Sequence, residues 1–456
     1  MTAARRARMR AAMRATRPAT RGAAVLALVV GIAAGSVTGA QAASTPPPTP
    51  APPVLAPADE AAARPTAAGV SAAIGRLVSR QLKGASVVVV DPASPTPLLD
   101  QAADRARIPA STAKLATAAA ALEVLGAQTR LPTIAYRDDR TVYLVGGGDP
   151  TLARAGRTDP LDGGRPSLTT LAKAVAEDYQ TQTRVTVVYD ASAFTGPALG
   201  PGWSKGFPRA GVVAPVSALV VDGGRVRPGA SARVADPARQ AATVFAGLLR
   251  AEGLKVADVR SGTLADGARE VARVESAPVV DLVQRMLTDS ENDYAEALAH
   301  LVGGRLLQDP SFAGGARATV QVLTNLGLDT AGLNLADGSG LSRENRMSAV
   351  LLAQLLSAVV TAKDPDLVPI AAGLAVAGFT GTLADRFGTA ATKDGRGFVH
   401  AKTGTLTGVT ALAGTVLDAS GRTLVFAMID DRARSLARSR VTMDTVASTL
   451  ARCGCE

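Results

Sequence analysis

Three short polar motifs, spread over most of the chain, place the strongest constraint on how this sequence can fold. They are Ser111-Thr112-Ala113-Lys114, Ser290-Glu291-Asn292 and Lys402-Thr403-Gly404-Thr405. No helix breaker lies between Ser111 and Leu125, which predicts a helix that begins near Ser111. The second motif lies between two helical patterns, and the third lies in a strand pattern. If the motifs act together, the fold must bring a helix start, a helix junction and a strand to one place.

The first motif suits nucleophilic catalysis by a serine. Ser111 and Lys114 are three residues apart and therefore share one face of a helical turn. Burial can make a lysine neutral and basic, whereas arginine stays charged, and such an amine can remove the proton of a nearby serine. Only eight of the 49 basic residues are lysine, and Lys114 and Lys402 are two of them. Taken singly, each motif also fits a surface lysine, an N-cap at Ser290 or Asn292, or a solvated strand lysine.

Together and in this order, the motifs form the set found in penicillin-binding proteins and serine β-lactamases. Further segments resemble the low-molecular-mass class C penicillin-binding proteins, which are D-alanyl-D-alanine carboxypeptidases that often also act as DD-endopeptidases. These segments are residues 143–152, Gly202-Trp203, residues 214–218 and the glycine-rich turn 337–342. The likeness covers nearly all of the chain after residue 70.

The resemblance implies an α/β (α+β) fold, the transpeptidase-like fold of these proteins, in which helices flank an antiparallel sheet. It divides the folded chain into a catalytic domain, residues 67–130 and 275–456, and an inserted, strand-rich smaller domain, residues 131–274. The motif serines are 290 − 111 = 179 residues apart, which leaves room for the insertion. A further small domain that the family carries after residues 220–222 is expected to be missing or much reduced.

Local patterns predict many of the elements. A β-branched run at 86–90, between Gly84 and Pro92, predicts a buried strand. Helical patterns cover 237–251, 278–288, 293–307, 315–326, 348–361 and 434–452, and strand patterns cover 141–145, 185–189, 398–405, 409–417 and 422–430.

The resemblance also implies a role for each motif residue. Ser111 is the expected nucleophile toward the carbonyl between two D-alanines, and Lys114 is its expected general base. Ser290 is expected to relay a proton to the departing amine, and Asn292 to hydrogen-bond the substrate amide.

The third motif is implied to bind substrate. Lys402 is expected to supply positive charge and Thr403 to help hold the terminal carboxylate, with Gly404 and Thr405 as further substrate-binding residues. The backbone N–H groups of Ser111 and Thr405 are expected to form an oxyanion hole. His400, two residues before Lys402, is a further candidate for the rim of the cleft.

The basic excess lies in a leader. The sequence has 49 basic and 39 acidic residues, and residues 1–43 hold seven arginines and no lysine or acidic residue. The remainder therefore carries 49 − 7 = 42 against 39, which argues against a nucleic-acid partner. The arginines, the apolar stretch 23–34 and Ala40-Gln41-Ala42 predict a cleaved signal peptide over 1–43, with an uncleaved anchor as the alternative. A proline- and alanine-rich linker follows at 44–66, so the protein is expected to be exported to the cell envelope.

Histidine and cysteine are too rare for several kinds of site. Two histidines, His300 and His400, do not supply a catalytic zinc site or a recognisable Ser-His-Asp triad, and no metal or cofactor is expected. The cysteines, Cys453 and Cys455, are expected to be thiols in a frayed tail, because a bridge across one residue would be strained.

The sequence therefore predicts a serine-type D-alanyl-D-alanine carboxypeptidase, with DD-endopeptidase activity as an addition. Its expected partners are peptidoglycan peptides ending in D-Ala-D-Ala, β-lactams as covalent inhibitors, and the membrane only through an uncleaved N-terminal segment. A β-lactamase is one alternative, although it has no obvious need of the long insertion. A non-catalytic scaffold that binds the cell wall is the other, although intact Ser111, Lys114 and Lys402 argue against it.

Overall fold

The computed structural model describes residues 64–94, 96–156 and 166–456. The predicted signal peptide and all of the predicted linker before residue 64 lie outside the described residues. None of the helices in these three ranges has the length and apolar character needed to cross a membrane.

Eleven strands and eight longer helices make up the described part of the chain. The strands are β1 Ser86–Val90, β2 Pro97–Gln101, β3 Pro132–Asp138, β4 Thr141–Gly146, β5 Arg184–Asp190, β6 Lys255–Ser261, β7 Arg269–Glu275, β8 Ala375–Val376, β9 Val399–Leu406, β10 Val409–Leu417 and β11 Thr423–Asp430. The helices are α1 Lys114–Leu125, α2 Leu168–Glu177, α3 Pro237–Ala251, α4 Val279–Thr288, α5 Asn292–Leu307, α6 Phe312–Asn325, α7 Ala349–Val360 and α8 Leu436–Arg452. Helical turns at Ala67–Val70, Ser71–Gly75 and Arg76–Gln81 precede β1.

The first sheet is antiparallel throughout and has the order β2-β1-β11-β10-β9-β8. Side chains alternate across it, as the period of a strand requires. Ala411 and Ala427 face one core, and Leu412 and Phe426 face the other. Both faces of the sheet are therefore covered, which explains why β10 and β11 are buried along nearly their whole length.

Helices cover the two faces in separate groups. On one face, α1, α4, α5, α6 and α7 share an apolar core with the sheet. On the other face, the N-terminal helical turns and the C-terminal helix α8 share a second core. This arrangement, helices on both sides of an antiparallel sheet, confirms the predicted fold class.

The second sheet is formed by strands from residues 132–275 and has the order β6-β5-β4-β3-β7. Strands β3, β4 and β7 pair antiparallel, whereas β5 pairs parallel with β4 and β6. Helices α2 and α3 share an apolar core with this sheet. The division into a catalytic domain and an inserted domain stays a prediction. Between Val221 and Pro237, the chain forms a short 3₁₀ turn and an isolated bridge, in place of a further small domain.

The helix predicted near Ser111 is present with a different first turn, whereas the prediction of a frayed C-terminal tail with two thiols is wrong. The predicted helix at Ser111 starts with a 3₁₀ turn, Ala110–Ala113, and the α-helix begins at Lys114. The C-terminal tail packs into the core that the N-terminal helical turns share with α8. Cys453 and Cys455 form a disulfide, and Cys455 is buried. The backbone N–H of Thr66 donates to the Cys455 carbonyl at 2.6 Å, so main-chain bonding holds the tail at the N-terminal helical turns.

Candidate active site

The expected nucleophile lies in a strained turn beside the sheet. Ala110 has a φ of +48°, in the left-handed region that residues with a Cβ rarely adopt. Ser111 follows in the 3₁₀ turn and is half-buried, so its hydroxyl is held at the surface of a packed element. A non-glycine residue in this region costs about 1–3 kcal/mol and occurs often at functional sites.

Lys114 contacts three oxygen atoms from three parts of the chain. Its Nζ lies 3.1 Å from Ser111 Oγ, 2.7 Å from Asn292 Oδ1 and 2.7 Å from the Ser339 carbonyl. The side chain is completely buried. Burial lowers the pKa of Lys114 from 10.5 to about 8, although the carboxylates of Glu296 and Asp337 oppose this effect. A lysine with such a pKa can take up a proton from the serine.

The second motif occupies the junction between α4 and α5, as the sequence predicts. Ser290 has a φ of +62°, which turns the chain between the two helices. Asn292 donates from Nδ2 to the Val212 carbonyl at 2.8 Å, and its Oδ1 therefore faces Lys114. The Ser290 hydroxyl faces the third motif instead, because Lys402 Nζ donates to its Oγ at 2.9 Å.

Lys402 is a second, completely buried lysine, on the inner strand β9. Its Nζ also donates to the Thr403 carbonyl at 3.0 Å. Burial lowers the pKa of Lys402 well below its ordinary value, and the nearby charge of Lys114 lowers it further. No carboxylate among the described residues is bonded to this amine, so its protonated form would be available to an anionic group of a substrate.

The rest of the third motif packs against the nucleophile turn. The Thr403 hydroxyl donates to Thr382 Oγ1 at 2.9 Å. A Cβ built on Gly404 would lie 2.8 Å from the Pro109 carbonyl oxygen, so a larger residue would separate strand β9 from the turn. Thr405 is exposed at the next position. The oxyanion hole at the N–H groups of Ser111 and Thr405 stays a prediction.

The structure therefore brings the three motifs together. Ser111, Lys114 and Asn292 form one hydrogen-bonded group, and Ser290 and Lys402 form another beside it. His400 does not join either group through the bond that its ring makes, because Nε2 lies 3.2 Å from the Gly397 carbonyl.

Comparison with known proteins identifies the family. The model of the D-Ala-D-Ala carboxypeptidase 3 (S13) family matches residues 76–232 and 227–452. The chain belongs to this family. Its motifs and fold agree with the low-molecular-mass class C penicillin-binding proteins, and the chain is accordingly a serine-type D-Ala-D-Ala carboxypeptidase by class.

Similar proteins agree with this membership. Carboxypeptidase DacB of Mycolicibacterium smegmatis is 37% identical over 407 residues, which cover 88% of this chain and 87% of that protein. The D-alanyl-D-alanine carboxypeptidase of an Actinomadura strain is 32% identical over 428 residues, which cover 77% of this chain and 78% of that protein. The crystal structure of penicillin binding protein 4 from Haemophilus influenzae shares the fold, with a TM-score of 0.69, 22% identity, and coverage of 83% of this chain and 98% of that one.

Two carboxylates of this family member were not identified as site residues from its sequence. Glu296 and Asp337 are buried, and both bind the backbone of the loop 337–342 that supplies the Ser339 carbonyl. One sequence signal was available for Glu296, since it is four residues after Asn292 and shares its face of α5. The contact of the loop with Lys114 has no local signal, because 225 residues separate the two partners.

Proposed function

We propose that this carboxypeptidase removes the terminal D-alanine from peptidoglycan stem peptides through an acyl-enzyme on Ser111. The observation that carries the proposal is the contact of half-buried Ser111 with buried Lys114, whose Oγ and Nζ are 3.1 Å apart. A neutral Lys114 accepts the hydroxyl proton while Oγ attacks the carbonyl between the two D-alanines. The bond to the departing D-alanine breaks, and an ester to Ser111 remains.

Proton return completes the first half of the reaction. The departing amine takes up one proton, which balances the one that Lys114 removed from Ser111, and the proposed relay is the Ser290 hydroxyl, which is bonded to Lys402 Nζ. Water then attacks the ester, releases the shortened peptide and returns the proton to Ser111. In this scheme Asn292 hydrogen-bonds the substrate amide, while its Oδ1 accepts the bond from Lys114 Nζ.

Lys402 and Thr403 are the proposed site for the terminal carboxylate. The Thr403 hydroxyl donates to Thr382 Oγ1 and would turn this donor to a bound carboxylate, and a protonated Lys402 on the same strand would supply the positive charge. Gly404 allows close approach of this strand to the nucleophile turn, and the N–H of Thr405 follows directly. Binding of the terminal carboxylate here would position the scissile carbonyl next to Ser111 Oγ.

The proposed setting is the cell envelope, reached through the N-terminal signal over 1–43, with a linker as far as residue 66. Peptides ending in D-Ala-D-Ala are the proposed substrates, and β-lactams, which present a similar acylating carbonyl, are the proposed covalent inhibitors. One solved relative of the same fold is a complex of Haemophilus influenzae penicillin binding protein 4 with a β-lactam.

The deciding experiment is covalent labelling of the purified protein with fluorescent penicillin. We expect a stable adduct, located at Ser111 by peptide mapping and lost in Ser111→Ala. No adduct, or an equal adduct in the alanine variant, contradicts the proposal, and rapid turnover of the drug indicates a β-lactamase. A Ser79→Ala variant, which removes an exposed hydroxyl bonded to the Arg76 carbonyl, is the matched control and should label normally.

Activity on cell-wall substrates separates the two peptidase reactions. The protein is incubated with a peptide ending in D-Ala-D-Ala and, separately, with cross-linked muropeptides. Free D-alanine from the peptide supports the carboxypeptidase reaction. Cleaved cross-links support a DD-endopeptidase in addition.

A further inference from the structure

A buried carboxylate fixes the loop that contacts the general base. Glu296 is 1% exposed, and its two oxygens accept hydrogen bonds from the backbone N–H groups of Gly338 at 3.0 Å and Ser339 at 2.7 Å. The Ser339 carbonyl in turn accepts the bond from Lys114 Nζ at 2.7 Å. Glu296 has no step in the reaction described above, yet its position decides where this carbonyl lies.

A second carboxylate holds the same loop from within. Asp337 accepts a bond from the Gly340 N–H at 2.9 Å. This N–H and the Ser339 carbonyl belong to one peptide unit, so that unit is bonded to Asp337 at one end and to Lys114 at the other. Hydrogen bonds in such a chain polarise and strengthen one another. The Trp203 indole N–H also donates to Asp337, at 2.7 Å, and fixes the carboxylate itself.

Leaving a carboxylate buried beside the base is costly unless it is hydrogen-bonded, and here both are. We infer that Glu296 is a positioning residue, which holds the Ser339 carbonyl on Lys114 and whose negative charge sets the pH at which Lys114 becomes a base. This inference rests on the proposed function, because it assigns Lys114 the role of general base.

The carboxylates around Lys114 all raise its pKa. Burial lowers its pKa to about 8, and the carboxylates that oppose this are Glu296 first, then Asp337, Glu291 and Asp293. Lys402 is the basic neighbour, and the charge of Lys114 lowers the pKa of Lys402. Removing the charge of Glu296 therefore leaves burial less opposed and lowers the pKa of Lys114 further.

Glu296 itself faces few other charges. Burial and the charge of Asp337 raise the pKa of Glu296, whereas the loop N–H bonds that its two oxygens accept lower it and favour the ionised form. His300 lies on the same helix and contacts the Glu296 backbone carbonyl through Nδ1 at 2.8 Å. Burial lowers the pKa of His300, so this imidazole is neutral near pH 7 and adds no charge.

The test is the pH dependence of penicillin acylation in Glu296→Gln. In the pH profile of the second-order rate constant for acylation, the acid limb reports the pKa of the general base in the free enzyme. We expect this limb to move to lower pH by about one unit, since an opposite charge near a titrating group shifts it by at least that much. We expect Glu296→Asp, which keeps the charge on a shorter side chain, to restore the wild-type limb with a lower maximal rate.

Glu344→Gln is the matched control, because it removes an exposed carboxylate two residues beyond the same loop. It should leave the limb unchanged, and thermal unfolding verifies that each variant is folded. If Glu296→Gln does not fold, Asp337→Asn gives the same measurement on the other carboxylate and should also move the limb to lower pH. A limb that stays in place or moves to higher pH overturns the inference, even if the rate falls. Absence of a Ser111 adduct in the wild type would instead overturn the proposed function.

Discussion

Lys114 and Lys402 place two amines in the same buried region, where a charged side chain is hard to keep. Each is bonded to neutral oxygens, and burial is the largest influence on the pKa of both. An arginine would stay protonated at either position and would need a larger space for its planar group. At the scale of the residue, the proposed chemistry therefore depends on an amine at Lys114 that can lose its proton.

Acylation should depend on pH in the way that the pKa of Lys114 requires. The protonated amine cannot accept the serine proton, so the reactive fraction grows as the pH rises toward about 8. We expect the acylation rate to increase about tenfold per pH unit well below that value and to level off above it. The measurement is the rate of labelling by fluorescent penicillin between pH 5 and 9.5, in steps of about half a pH unit.

The pH at which the rate levels off identifies the group. With an ordinary surface lysine the rate would still be rising at the upper end of the range, because the usual pKa is about 10.4. A rate that is constant or that falls over the range would contradict Lys114 as the base. Labelling at positions other than Ser111 is measured in Ser111→Ala and subtracted.

At the scale of the element, the site depends on how closely the loop 337–342 approaches the nucleophile turn. Gly340 has a φ of +83°, and a Cβ built there would lie 2.0 Å from the Ala110 carbonyl oxygen. Backbone is therefore packed directly on backbone beneath Ser111. Such an approach is possible only with glycine, and it links the position of the Ser339 carbonyl to that of the nucleophile.

Gly340→Ala should separate these two elements. We expect overpacking to lower the free energy of unfolding by about 1–3 kcal/mol and the acylation rate to fall. Gly229→Ala is the matched control, because Gly229 also has a positive φ, +77°, but nothing lies within 4 Å of its added Cβ. Urea unfolding and penicillin labelling of both variants provide the comparison. An equal loss in the two variants would show that backbone strain, rather than the contact with Ala110, is responsible.

The elements themselves could largely be predicted from the sequence, whereas their contacts could not. Strand patterns at 398–405, 409–417 and 422–430 correspond to β9, β10 and β11, and the helical patterns at 237–251, 278–288 and 293–307 correspond to α3, α4 and α5. These patterns can be read locally, because a helix or strand with one buried face repeats its apolar residues with the period of that element.

What escaped prediction depends on partners far away in the sequence. The 3₁₀ turn at Ser111 requires a left-handed Ala110, a conformation for which alanine has no preference of its own. Glu296 looks like an exposed helical residue until the loop 337–342 covers it. The ordered tail is a third case, since its carbonyl partner is Thr66, at the opposite end of the described chain.

At the scale of the whole molecule, the first and last described segments support each other. Thr66 binds the Cys455 carbonyl, the Thr442 hydroxyl donates to Gln81 Oε1 at 3.0 Å, and Cys455 is buried in the core beneath α8. These contacts lie on the face of the first sheet that carries the N-terminal turns and α8. The helix that follows the nucleophile, α1, lies in the core on the other face.

Deleting residues 453–456 should therefore destabilise the protein without changing the chemistry of the site. We expect the free energy of unfolding to fall by about 1–3 kcal/mol, from the lost burial and hydrogen bonds. Urea unfolding measures this loss, and penicillin labelling at low temperature should keep the wild-type rate. Deletion of Glu456 alone is the control and should cost less. A large loss of labelling in the folded deletion variant would contradict this separation.

The bond between Thr66 and Cys455 also brings the two ends of the described chain together. In a variant that begins at residue 64, a short connecting peptide could join these two ends, and new ends could be opened at an exposed turn such as the one at Gly229. The same feature gives the protein a single point of attachment for a surface, a label or a fused partner. A group attached at either end of the described chain would lie on the face of the first sheet that carries α8. The opposite face, which carries α1, would stay accessible to a large polymeric substrate.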